Sequence, residues 1–240
     1  MRARITADGL GGALDALNKL SGDLPGKALA DALNYTAHEA RVALSAEMPG
    51  VFDRPTPWTL KSIKVFKATA SNPIAALWIN DYAVSKDVAP DRWLKAEVFG
   101  GAREDKGIEK LLRARGILPA GRFVVPGEGA RLDKYGNLSQ GQIAQIKSGL
   151  MIADRSGYTG NASNSRRSLK KGNANAFFVL RRGKTPIGIA ERRGAGMAVV
   201  LAFVRQPQYR SRLPFHDIVA EVADKRLAIN VNREITKALG

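Results

Sequence analysis

Ala176–Val204 reads AFFVLRRGKTPIGIAERRGAGMAVVLAFV, and its period decides the kind of fold. Two apolar runs, Ala176–Leu180 and Pro186–Ala190, flank Arg181-Arg182-Gly183-Lys184-Thr185. That pattern predicts a hairpin with a basic tip. Ala195–Val204 follows as an unbroken apolar run, the strongest strand in the chain and of the type covered on both faces. Just upstream, Ser156–Asn175 is small and polar, rich in Gly, Asn and Ser. It is expected to be a flexible loop that orders on contact with a partner.

Working downstream, Gln206–Arg212 is a polar connection and Phe215–Leu239 a long helix. Its apolar residues fall on two nearly opposite stripes, Ile218, Val219, Val222 and Ile229 against Leu227, Val231 and Ile235. Upstream, Ser139 caps a helix carrying Ile143, Ile146 and Leu150. Gly121–Gly127 holds a short strand, and Glu104–Gly116 a charged helix. Gly127-Glu128-Gly129 lacks the spacing and the Lys-Ser/Thr of a phosphate loop, and its acid would repel phosphate. Near the start, Asp8–Leu20 and about Pro25–Glu47 read as helices, the second stopped by Pro49-Gly50. A Pro-rich turn over 51–59 follows. Ser62–Lys67, alternating in period, and Ile74–Ile79 then form a hairpin, and Arg92–Phe99 is a short amphipathic piece.

This order predicts an α+β fold, with an N-terminal helix pair and a C-terminal helix packed on an antiparallel sheet. Residues 1–99 would carry the helix pair and first hairpin of the core. Residues 100–173 would be an inserted helical and loop segment, and 174–240 the remaining core strands and final helix. The strands before and after the insert are expected to share one sheet.

Charge is the other strong signal. The chain has 38 Lys and Arg against 22 Asp and Glu, a net +16, which asks for a polyanionic or acidic partner. The density peaks at Arg155, Arg166, Arg167, Lys170, Lys171, Arg181, Arg182, Lys184, Arg192 and Arg193, with Glu191 the single acid among them. These ten cations are the candidate assembly or DNA-facing surface. Tyr158, Phe177, Phe178 and Tyr209 lie in or beside it and could stack on bases, although Phe177 and Phe178 suit a strand core better.

Catalytic chemistry is not legible. There is no cysteine, and the two histidines, His38 and His216, are far apart. A metal site is therefore weakly supported, and no Gly-x-Ser-x-Gly elbow occurs. No cofactor is expected. No window reaches the roughly 20 apolar residues of a membrane span, and the basic start has no apolar run after it.

The two ends carry a resemblance. Leu14-Asp15-Ala16-Leu17-Asn18-Lys19-Leu20 and Ala28-Leu29-Ala30-Asp31-Ala32-Leu33-Asn34 precede a basic β-rich middle, and Leu213-Pro214-Phe215 opens the long charged final helix. This plan resembles the minor tail protein Z family of tailed phages, the tail completion proteins, and the wider group of phage head–tail connection proteins. The stretch from Arg122 to Ile143 also has the character of prophage structural proteins. The resemblance implies a non-enzymatic virion component of the tail or neck, assembled in the host cytoplasm. It would act by fit, as a homo-oligomeric ring contacting neck, tail tube, tail terminator or portal-adaptor subunits, with non-specific contact to packaged or passing DNA. The alternative is a non-sequence-specific nucleic-acid-binding protein acting outside a particle.

Overall fold

Exposed Arg2 and Arg4 alternate with buried Ala3 and Ile5, and Arg2–Ile5 is accordingly a strand, β1. The computed structural model describes residues 1–8, 10–17, 19, 22–81, 89–152, 166 and 176–239. After β1 come helices α1 (Gly12–Leu17), α2 (Leu24–Val51) and α3 (Pro57–Leu60). Strands β2 (Ile63–Phe66) and β3 (Ala75–Ile79) and helix α4 (Pro90–Phe99) follow. The expected β2–β3 hairpin is present, and β1 joins it on the far side of β3 in the order β1-β3-β2. The sequence reading had passed over β1.

The next elements are β4 (Gly101–Ala102), α5 (Gly107–Ala114), β5 (Arg122–Pro126) and α6 (Gln140–Gly149). Then come β6 (Phe177–Arg182), β7 (Thr185–Arg193), β8 (Gly196–Arg205), β9 (Gln208–Tyr209) and a last described helix, here α7 (Phe215–Leu239). The fold is α+β, with antiparallel sheets and helices packed on them. It divides into two compact units, Met1–Gly101 with Tyr209–Gly240, and Ala102–Gln208. The chain crosses between them twice, and the two crossings pair as the ribbon β4-β9.

This division differs from the expected one. Strands β6 to β8 do not share a sheet with β2 and β3. They join β5 in a four-stranded sheet of order β5-β8-β7-β6. The inserted unit therefore runs to Gln208 rather than to residue 173. The unbroken apolar run of β8 takes a strand on each side, β5 and β7. An apolar run tells how a strand's faces are covered but not which strands flank it.

Each unit has its own core. In the terminal unit Ala32, Leu33, Ala37, Ala40, Leu44 and Met48 of α2 are fully buried with Leu77 and Ile79 of β3, Leu94 of α4, and Leu213 and Phe215. The small buried residues Ala32, Thr36, Ala37 and Ala40 of α2 let α7 lie close along it. Pro49 does not stop α2. It sits in the last turn and removes only the bond to the Ser45 carbonyl, and the Phe52 amide still closes onto the Met48 carbonyl at 2.9 Å. The buried stripe of α7 begins at Phe215 and Val219 and ends at Leu227, Val231 and Ile235. A fourfold repeat drifts by about 40° per step on a helix, so the two opposed stripes are ends of one winding stripe. Ile229, placed by its spacing with Val219, is exposed instead.

In the inserted unit the sheet buries Val124, Ile189, Leu201 and Phe203 with Leu112 of α5 and Ile146 of α6. Ser139 caps α6, its Oγ accepting from the Gln142 amide at 3.3 Å. Gly188 has the role that its lack of a side chain permits: a Cβ there would stand 2.6 Å from the Leu201 carbonyl oxygen of β8.

Candidate functional site

Two tight turns set the ends of the four-stranded sheet. Arg182 pairs with Thr185 and Arg193 with Gly196, leaving Gly183-Lys184 and Gly194-Ala195 as two-residue loops. Gly183 and Gly194 adopt φ of 59° and 57°, the left-handed first position that such hairpins require. The register breaks between Leu180 and Arg181, with Ile187 opposite the break, and Pro186 pairs with Arg181 before the β7–β8 ladder begins at Gly188. The proline therefore removes no ladder donor.

These turns separate the predicted basic residues into two groups. Arg181, Arg182 and Lys184 lie at one end of β7 and Arg192 and Arg193 at the other, roughly 26 Å away at 3.3 Å per residue. The far end is tied into the fold. Glu191 accepts from Arg193 at 2.8 Å and from Arg131 at 2.7 Å. Arg193 also donates to the Gly129 carbonyl at 2.8 Å, and Arg192 lies over the Phe178 ring at 4.7 Å. This end holds structure together. Arg166 is exposed. Arg155, Arg167, Lys170 and Lys171, the Ser156–Asn175 loop and Tyr158 lie outside the described residues.

The near end is different. In the β5–β8 ladder Arg122 stands directly opposite Arg205. Ala202 is level with Gly188, so Arg205, three residues on, comes level with the start of β7. Arg122, Arg205, Arg182 and Lys184 thus line one end of the sheet, across roughly 14 Å of strand spacings. Arg181 joins them, its Nη1 donating to the Lys184 carbonyl at 3.0 Å across the turn. Among the described residues none of Arg122, Arg182, Lys184 and Arg205 has an ion-pair partner. Arg122 and Arg205 are not among the ten cations that the sequence singles out. They sit eighty-odd residues apart, and only the strand register makes them neighbours.

Two ion pairs fix β5, on which Arg122 is carried. Arg103 makes a two-pronged contact with Glu109, at 2.7 and 2.5 Å, and both side chains are buried. Glu109 also accepts from the amides of Lys106 and Val124, each at 2.6 Å, and Arg103 donates to the Val124 carbonyl. Burial pushes the Glu109 carboxyl up, but its bonds from Arg103, Val124 and Lys106 outweigh that and hold it below the ordinary range. Arg113 grips Asp105 at 3.0 and 3.1 Å and donates to the Pro119 and Arg122 carbonyls.

The Gly127–Gly129 loop serves packing. Its Gly127 and Gly129 amides donate to the Val200 and Val199 carbonyls, and a Cβ on Gly127 would stand 2.3 Å from the Val199 oxygen. Of the stacking candidates, Phe177 is buried against Gly149, Phe178 lies under Arg192, and Tyr209 is half-buried in β9. His38 is exposed, 3.5 Å from Arg41, and His216 is an exposed ring between Phe99 and Phe215. Among the described residues no three His, Cys, Asp or Glu side chains are grouped to hold a metal ion, and no helix is long and apolar enough to cross a membrane. Comparison with family models, curated proteins and solved structures gives no match to this chain.

Proposed function

We propose that this protein is a non-enzymatic structural component of a tailed-phage virion, acting at the tail or neck by protein–protein assembly close to the DNA path. The observation that carries the reading is the company kept by the two termini. The segments that resemble tail completion proteins, the helix around Ala28–Asn34 and the Leu213-Pro214-Phe215 entry to α7, meet in one core through Leu33, Leu213 and Phe215. Residues 102–208 form a second compact unit between those two segments in the chain. Its basic sheet end, Arg122, Arg181, Arg182, Lys184 and Arg205, supplies unneutralised charge for an acidic neighbouring subunit or for phosphate. Around a homo-oligomeric ring, one such end per subunit would sum weak contacts into a firm joint.

Deleting the gene from its host phage and imaging the products tests this. Separate heads and tails, or defective tails, are the expected result. Intact, infectious particles would overturn it. Restoring the wild-type gene should restore joining, whereas a copy with Arg122, Arg182, Lys184 and Arg205 changed to Glu should not.

A further inference from the structure

The three-stranded sheet of the terminal unit has an outer face that neither core uses. Its core side is closed by Ile63, Leu77 and Ile79. The opposite side is built from six strand positions: Arg2 and Arg4 of β1, Ala76 and Trp78 of β3, and Lys64 and Phe66 of β2. None of the six is acidic. Arg2 and Lys64 stand directly across from Trp78, one on each neighbouring strand, and Arg4 and Phe66 flank Ala76 in the next row. The rows are about 7 Å apart along the strands.

The small Ala76 side chain leaves room above it. Phe66 and Trp78 therefore meet at 5.0 Å between centroids, and the Arg2 guanidinium reaches over both, 4.9 Å from Phe66 and 5.9 Å from Trp78. Phe66 remains 44% exposed, and Arg4 and Lys64 are exposed beside the rings. Flat π-faces with cations on both sides are the two ingredients that single-stranded nucleic acid needs: bases stack on rings and guanidinium planes, while phosphates meet the flanking charges. A duplex hides its base faces and would use only the charge.

From this juxtaposition we infer that the outer face of β1-β3-β2 is a binding platform for single-stranded nucleic acid, with Trp78 and Phe66 as its stacking surface and Arg2, Arg4 and Lys64 as its phosphate contacts. The platform is distinct from the basic sheet end and does not depend on the proposed place in the virion. Stacking reads no particular base, so the platform accepts any sequence.

The test is anisotropy of a labelled oligothymidine of about 12 nucleotides, within the usual site size, and of a duplex of equal length, with the full chain. The single strand should bind more tightly. Trp78→Ala and Phe66→Ala should each weaken it roughly 5- to 100-fold, leave the duplex unchanged, and Trp78→Phe should retain most of the affinity. Arg4→Gln and Lys64→Gln should each lower the salt slope for the single strand by about 0.7. Thermal melting accompanies each variant. Should Trp78→Ala unfold, the exposed Phe66→Ala and Lys64→Gln still decide the matter. The inference is overturned if the single strand does not bind, if Phe66→Ala leaves its affinity unchanged, or if single strand and duplex bind equally and both lose affinity only on changing Arg182 and Lys184.

Discussion

Arg103 and Glu109 face one another as a buried two-pronged ion pair, and they also hydrogen-bond the backbone at Glu104, at Val124 of β5 and at Lys106, which precedes α5. A charge pair so placed joins helix to sheet. Removing one partner leaves the other charged and dry, which costs about 3–5 kcal/mol. Glu109→Ala is therefore expected to destabilise the inserted unit by that amount, read as a lower midpoint in urea.

The same carboxyl sets an acid limit. Its pKa is below the ordinary 4.5 in the folded protein, so the unfolded chain takes up the proton first as pH falls. The stabilisation is complete above about pH 4.5 and is lost as pH falls through the lower folded value. Stability of the wild type and of Glu109→Gln should converge towards acid pH. A constant difference down to pH 2 would contradict this.

Opposed arginines at the basic end should cost stability in the free protein. Arg122 and Arg205 are directly across a strand pair, where like charges are destabilising by roughly 0.2–1 kcal/mol. Arg205→Gln should raise the melting temperature slightly at low salt, and added salt should erase the gain. In the same variant, duplex DNA binding should weaken and its salt slope fall by about 0.9.

Two glycines should respond oppositely to alanine. At Gly188 the added methyl meets the Leu201 carbonyl at 2.6 Å, so β7 and β8 must part, at a cost of about 1–3 kcal/mol. Gly141 lies in α6 with nothing within 4 Å, and alanine there should stabilise by about 0.5–1 kcal/mol. Denaturant melts of the two variants check both signs.

The terminal unit should fold without the inserted one. Among the described residues its core draws none from 102–208, and the β4-β9 pairing brings the two crossings within reach of a short linker. Replacing residues 103–207 with a few glycines should leave a cooperatively unfolding α+β protein by circular dichroism. Loss of the cooperative transition would contradict the division.

Inside that unit a polar contact crosses the α2–α7 interface. Buried Asn230 donates to Thr36 Oγ1 at 3.0 Å and to Glu39 at 2.9 Å, while its own carbonyl oxygen has no partner among the described residues. A double-mutant cycle of Thr36→Val with Asn230→Ala should show coupling of about 0.5–1.5 kcal/mol, since each single change already breaks their shared bond.

What could be read in the chain was whatever rests on local pattern. The hairpin around Gly183, the cap at Ser139, the β2–β3 pair and the long α2 and α7 all follow from period, turn residues and apolar runs. Strand β1 was missed because four residues with two arginines give too short an alternation to stand out from a basic terminus. Pro49 was read as a stop because its rule is local, whereas the burial of Met48 beside it belongs to the packed core.

The candidate sites were legible only as composition. The sequence by itself determined an α+β plan, a strong positive charge and a basic hairpin tip, since these depend on residue type and near spacing. Tertiary structure alone decided which cations gather on Glu191 and which line the sheet end beside Arg122 and Arg205. It also decided which strands share the Ala176–Val204 sheet. The reason is that antiparallel pairing joins residues by register, and register is set by how two cores close, a relation between distant segments that no single stretch contains.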